Sequence, residues 1–182
     1  MASYAVTAVQ SELKMTLYNK EVYAGADING VTITDRQPMG TTWVFSWPVT
    51  DGPGPNANIV GHLQGTGVLV TKNPNYVWHY SLGLVFGDKR FNGSTLQISG
   101  TSQINGEWSI VGGTGELAMA KGTVKRTEIS YTGNTRISEL KIHVVYTPRN
   151  QTSSNYYGIM LPCQYDIYPS APDSSRSDPL FK

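Results

Sequence analysis

Apolar and polar residues alternate along most of this chain, a period of two that suits strands and not helices. Leu13, Met15, Leu17, Asn19 and Glu21 fall on one face of a first predicted strand, apolar until its last two positions. Trp43, Phe45, Trp47 and Val49 share a face of a second, which runs into the turn-rich stretch DGPGPN at 51–56. Further strands are predicted over 61–70, 94–100, 117–129 and 136–146. A long one is predicted where Tyr76, Trp78, Tyr80, Leu82, Leu84 and Phe86 alternate with Val77, His79, Ser81, Gly83 and Val85. No segment carries an amphipathic helical period. Many strands separated by glycine-rich turns predict an all-β barrel or sandwich, mainly antiparallel.

From Pro169 the pattern stops. PSAPDSSRSDPLFK has little apolar surface to bury, which predicts one domain over 1–168 and a flexible, linker-like tail over 169–182. Tyr156 and Tyr157 either sit on a loop near the barrel mouth or close the last strand.

Composition narrows the function. The 182 residues carry a formal charge of +1, and only 15% are charged. With no basic block, a nucleic-acid partner held by phosphate neutralisation is not expected. No apolar run approaches the ~20 residues of a membrane helix. Cys163 is the only cysteine, so no internal disulfide can form. MASYAVTAVQSELKM lacks the basic and apolar regions of a secretory signal, so a cytoplasmic location is expected. On that reading the sequons at Asn92 and Asn150 are chance matches. His62, His79 and His143 have no metal-ligand spacing, and no G-x-S-x-G elbow is present. No metal site is expected from these residues.

Four glycines crowd residues 108–122, WSIVGGTGELAMAKG. A phosphate-binding loop would need a helix after them. Here alternation resumes at once, so the cluster is predicted to be a tight strand-to-strand connection.

The same stretch resembles the signature of plant dirigent proteins, VVGGTGxFxxARG. FNGSTLQISG at 91–100 resembles the family's YNGSTLxxxG. PVTDGPGPNANIVGHLQGTGVLV at 48–70 resembles PLTEGP…VGxAQG, and MTLYNKEVYAGADINGV at 15–31 resembles LHFYFHDIxxG. The four motifs occur in the family's order. The resemblance implies a single eight-stranded antiparallel β-barrel of the dirigent and allene-oxide-cyclase type, with a central cavity and a homotrimeric assembly. It also implies cofactor-free steering of phenoxy-radical coupling or quinone-methide cyclisation. The family's HD carboxylate falls on Glu21 and the arginine of ARG on Lys121, while its paired aspartates fall on Ser46 and Trp47.

A carboxylate at the end of an apolar inward face would have a raised pKa if dry and could act as an acid. Glu21 and Lys121 could equally form a buried ion pair. The absence of a signal and the linker-like tail resemble the N-terminal domain of grass dirigent–jacalin chimeras, which function in plant defence. That implies a covalently linked jacalin lectin domain. Two readings stay open beside a purely structural trimerisation role for the lectin. One is a trimeric module that binds a small oligosaccharide through Glu21, Trp47, Tyr80, Glu116 and Lys121, a binding role rather than catalysis. The other is an active dirigent protein holding a small phenolic ligand, with Glu21 and Lys121 handling its phenol.

Overall fold

The computed structural model describes residues 10–35, 39–71, 76–102 and 104–148. The tail at 169–182, Tyr156, Tyr157, Cys163 and the Asn150 sequon lie outside the described residues.

Among the described residues nine strands follow in order: β1 (Ser11–Val22), β2 (Gly30–Thr34), β3 (Thr42–Thr50), β4 (Ile59–Leu69), β5 (Trp78–Phe86), β6 (Thr95–Ser102), β7 (Gly106–Thr114), β8 (Lys121–Tyr131) and β9 (Thr135–Tyr146). Every pairing is antiparallel, in the order β1-β9-β8-β7-β6-β5-β4-β3-β2. A further contact of β1 with β3 closes eight of them into a barrel. Closure removes the open sheet edges that would otherwise invite aggregation. The expected eight-stranded barrel is therefore present.

The closure is uneven. β1 and β9 pair continuously from Ser11↔Tyr146 to Val22↔Thr135, but β1 meets β3 only at Tyr18↔Thr50 and Asn19↔Val49. Beyond that point β3 pairs instead with β2. Asn29 fills the gap: its Oδ1 accepts from Val22 N at 2.9 Å, its Nδ2 donates to Lys20 O at 2.9 Å, and its carbonyl accepts from Ser46 N at 3.0 Å. One residue, through its side chain and its carbonyl, thus replaces ladder bonds that two diverging strands cannot make.

Alternation decides which residues enter the core. Leu17, Val49, Leu63, Leu84, Leu96, Trp108, Val124, Leu140 and Val144 all point inward and are buried. Large and small inward residues alternate around the wall at one level, with Trp43 opposite Gly67 and Gly67 opposite Tyr80. A Cβ on Gly67 would lie 3.1 Å from the Tyr80 ring, so the missing side chain is what lets the rings lean across β4.

The glycine cluster differs from its predicted form in one respect. β7 runs through Gly112 and Gly113, and the chain turns only at the 3-10 segment Gly115–Leu117. A Cβ at Gly113 would sit 2.2 Å from the Leu117 carbonyl, and Gly115 has φ +64. The corner needs glycine first for close backbone approach and then for a left-handed conformation. The strand expected from Leu117 starts at Lys121, because Leu117 closes the core from the turn and Met119 takes φ 59 on the surface. β2 and β7 were not among the strands predicted from alternation.

Candidate functional site

One end of the barrel, where β1 reaches Val22 and β5 begins at Trp78, opens into a pocket of about 100 Å³. Aromatic side chains make most of its wall: Tyr23, Trp43, Phe45, Trp47, Trp78 and Tyr80, with Gly67 between them. Trp43 meets both Tyr23 and Trp78 edge-to-face, at 5.6 and 6.2 Å between centroids. Phe45 and Trp47 stack at 3.7 Å. These contacts hold the rings in fixed orientations.

Glu21 and Arg136 supply the polar corner. Register places them opposite each other on β1 and β9. Behind them Arg126 enters from β8 and is almost fully buried, with 1% of its side chain exposed against 3% for Glu21. Glu21 Oε1 accepts from Arg126 Nη2 and, at 3.1 Å, from Asn19 Nδ2. Glu21 Oε2 accepts from the Tyr23 hydroxyl at 2.5 Å and from Arg136 Nη1 at 3.5 Å. A carboxylate offers about four lone-pair sites, and all four are taken.

The rest of the network fixes the two arginines. Arg136 Nε donates to Glu128 Oε2 at 2.5 Å, and Arg136 Nη1 also donates to the Tyr23 oxygen. Its guanidinium lies between the Tyr23 and Tyr131 rings, 5.3 and 5.2 Å from their centroids. Arg126 Nε donates to Ser138 Oγ at 3.2 Å, and its guanidinium faces Trp47 and Trp108. Two cations balance the two anions Glu21 and Glu128, the condition under which buried charge is tolerable. Burial, and then the adjacent Glu21 charge, push the Tyr23 phenol above its usual range. Burial also raises Tyr80, partly offset by the nearby Arg126.

Glu21, Trp47 and Tyr80 therefore line one pocket. Lys121 and Glu116 do not join them. Lys121 is exposed and pairs with Val145, nine positions along β9 from the Arg136 that faces Glu21. At ~3.3 Å per residue that separates the two by about 30 Å. Both the Glu21–Lys121 ion pair and their shared handling of a phenol are corrected. Glu116 lies at the Lys121 end too, bonded to the exposed Arg90. Nor is Glu21 arranged as a dry acid, since every contact it makes is as an acceptor.

Trp47 occupies one of the two positions matched to the family's aspartates. It points inward and is 2% exposed, while Ser46, the other, faces out and accepts from Gln64 Nε2 at 3.2 Å. The residues missed from sequence are Tyr23, Arg126, Arg136, Trp43 and Trp78. A signal existed for Arg126: it falls in phase with Val124 on the inward face of β8.

The profile of the Dirigent-like protein family matches residues 12–145. Pterocarpan synthase 1 of Glycyrrhiza echinata is 31% identical over 115 residues, 60% of this chain and 61% of that protein. Dirigent protein 1 of Arabidopsis thaliana is 30% identical over 115 residues, 58% of this chain and 63% of that protein. The chain thus spans about three fifths of the curated relatives it matches. Among solved structures, a pterocarpan synthase dirigent protein superposes with a TM-score of 0.73 at 24% identity, covering 81% of this chain and 99% of that one. Pyocyanin demethylase gives 0.51 at 18%, covering 71% and 99%, a likeness of fold alone. Profile, relatives and closed barrel agree: the chain belongs to the dirigent family.

Proposed function

We propose that this chain is a dirigent-type binding module whose barrel mouth takes one aromatic ring of a phenol-derived ligand and fixes its orientation. The observation that carries this reading is the imbalance between the pocket's aromatic walls and its committed polar groups. At about 100 Å³ the pocket is below the ~300–1,000 Å³ of drug-sized sites and below the ~150 Å³ cavity known to hold benzene. It suits a single ring entering end-on, with the rest of the ligand outside.

A sugar ring of that size brings several hydroxyls, each costing about 1–3 kcal/mol if buried unpaired. With Glu21 saturated, the wall has too few partners for them. A phenol-derived ring brings one oxygen and two faces that suit Trp43, Trp78 and Tyr80. The relatedness to pterocarpan synthase 1 points the same way. The aromatic reading is therefore preferred to the oligosaccharide one.

Assembly belongs to this reading. No Lys, Arg, Asp or Glu occurs in β2, β3, β4, β5 or β6, which are neighbours in the sheet. Their outer face exposes Val31, Ile33, Val44, Ile59 and Val85. A charge-depleted wall of this kind suits burial against further copies, consistent with the homotrimer that the family resemblance implies. A linked jacalin domain and a cytoplasmic location remain expectations.

Titration of the protein with coniferyl alcohol and with mono- and oligosaccharides, followed by calorimetry, tests the reading. Saturable binding of the phenol, weakened tenfold or more by Trp78→Ala, is expected. Saturable sugar binding with no response to the phenol would overturn it.

A further inference from the structure

The hydrogen-bonding state of the mouth has a consequence for the ligand's oxygen. Glu21, the pocket's only carboxylate among the described residues, has no lone pair left for a ligand proton. The Tyr23 oxygen gives its proton to Glu21 and receives one from Arg136. Another unfilled acceptor nearby, Asn19 Oδ1, is buried below Glu21 and does not line the pocket.

The remaining capacity is on the donor side. Arg136 lines the pocket, and only its Nε and Nη1 are engaged among the described residues, leaving the two N–H groups of Nη2. Tyr80 also lines the pocket, near Arg126. Charge is balanced in the cluster, so recognition here depends on hydrogen-bond direction and not on net charge.

We infer that the pocket selects a ring whose oxygen carries no proton, such as an aryl carbonyl, with Arg136 as the specificity-determining donor and Glu21 as the residue that positions it. This rests on the aromatic-ring reading above. Glu21 acts through Arg136 and Tyr23 and does not touch the ligand. Lysine at 136 would keep the charge but lose the planar fork that bonds Glu128, Glu21 and a ligand at once.

The test is a matched series of single-ring probes, acetophenone, phenol, anisole and toluene, bound to the full chain at neutral pH and measured by calorimetry and ligand-observed NMR. Acetophenone should bind about tenfold more tightly than toluene, the scale of one hydrogen bond to a charged donor. Phenol should bind no better than anisole, because its proton finds no acceptor. Arg136→Lys should bring the acetophenone-to-toluene ratio toward one while toluene binding persists. The wild-type series stands alone should that variant fold poorly.

Phenol binding more tightly than both acetophenone and anisole would overturn the inference and leave the aromatic pocket standing. Failure of all four rings to bind, or binding indifferent to Trp78→Ala, would overturn the pocket reading and this inference together.

Discussion

The barrel carries an arginine–glutamate pair at each end, and the two ends differ in almost everything else. At the mouth, Arg126 and Glu21 are 1% and 3% exposed and lie within a network of tyrosine, asparagine, serine and a second arginine. At the glycine-rich end, Arg90 and Glu116 are 61% and 45% exposed. The same two functional groups are in one place screened by water and in the other removed from it. A buried pair contributes little over an apolar substitute, yet losing one partner strands a charge in a medium that cannot solvate it. The charges beside the glycine motif mark the surface end, while the candidate site lies where charge is costly.

The largest expected effect tests that contrast directly. Arg126→Met should lower the unfolding free energy by about 3–5 kcal/mol in urea melts, because Glu21 is left buried. Combining it with Glu21→Met should recover part of that loss. If the single variant is as stable as wild type, the network is not the buried unit described here.

Next is the glycine end, where covalent geometry and not charge sets the constraint. Gly113→Ala places a Cβ against the Leu117 and Thr95 carbonyls, both backbone atoms that cannot swing away. A loss of about 1–3 kcal/mol is expected in the same melts. An unchanged midpoint would show that the corner relaxes freely.

A third effect is a matter of pH. Tyr23 has its phenol pKa raised by burial and by Glu21, so the folded state holds a proton that the unfolded chain releases near the usual tyrosine value of ~10. That stabilisation is complete below this pH and is lost as pH rises above it. Tyr23→Phe should therefore flatten the alkaline decline in melting temperature; a decline of identical slope in the variant would place its cause elsewhere. The smallest effect belongs to the exposed pair. Glu116→Gln and Lys121→Ala should leave the melting temperature and ring binding unaltered, and any loss of binding would bring the far end back into the site.

Much of this was legible in one dimension. The inward phase of β1 put Asn19 and Glu21 behind Leu13, Met15 and Leu17, and the alternation of β3 and β5 set Trp47 and Tyr80 facing inward. Period-two patterning encodes which side of a strand is dry, and that is a local property. β2 was not legible, because its outward residues are nearly all exposed and it exists through Asn29 and β3. The partner of Glu21 was not legible either. Motif position suggested Lys121, but the register of β8 on β9 carries that residue to the other end and puts Arg126 and Arg136 at the mouth.

The sequence by itself determined seven of the nine described strands, the glycine corner and, through the family resemblance, the barrel. Only the tertiary structure decided which charges meet, since sheet register between strands distant in sequence depends on the packing of the whole barrel. It also decided which side chains line the pocket and which of their hydrogen-bonding groups are already engaged, because both follow from how many side chains converge on a single point.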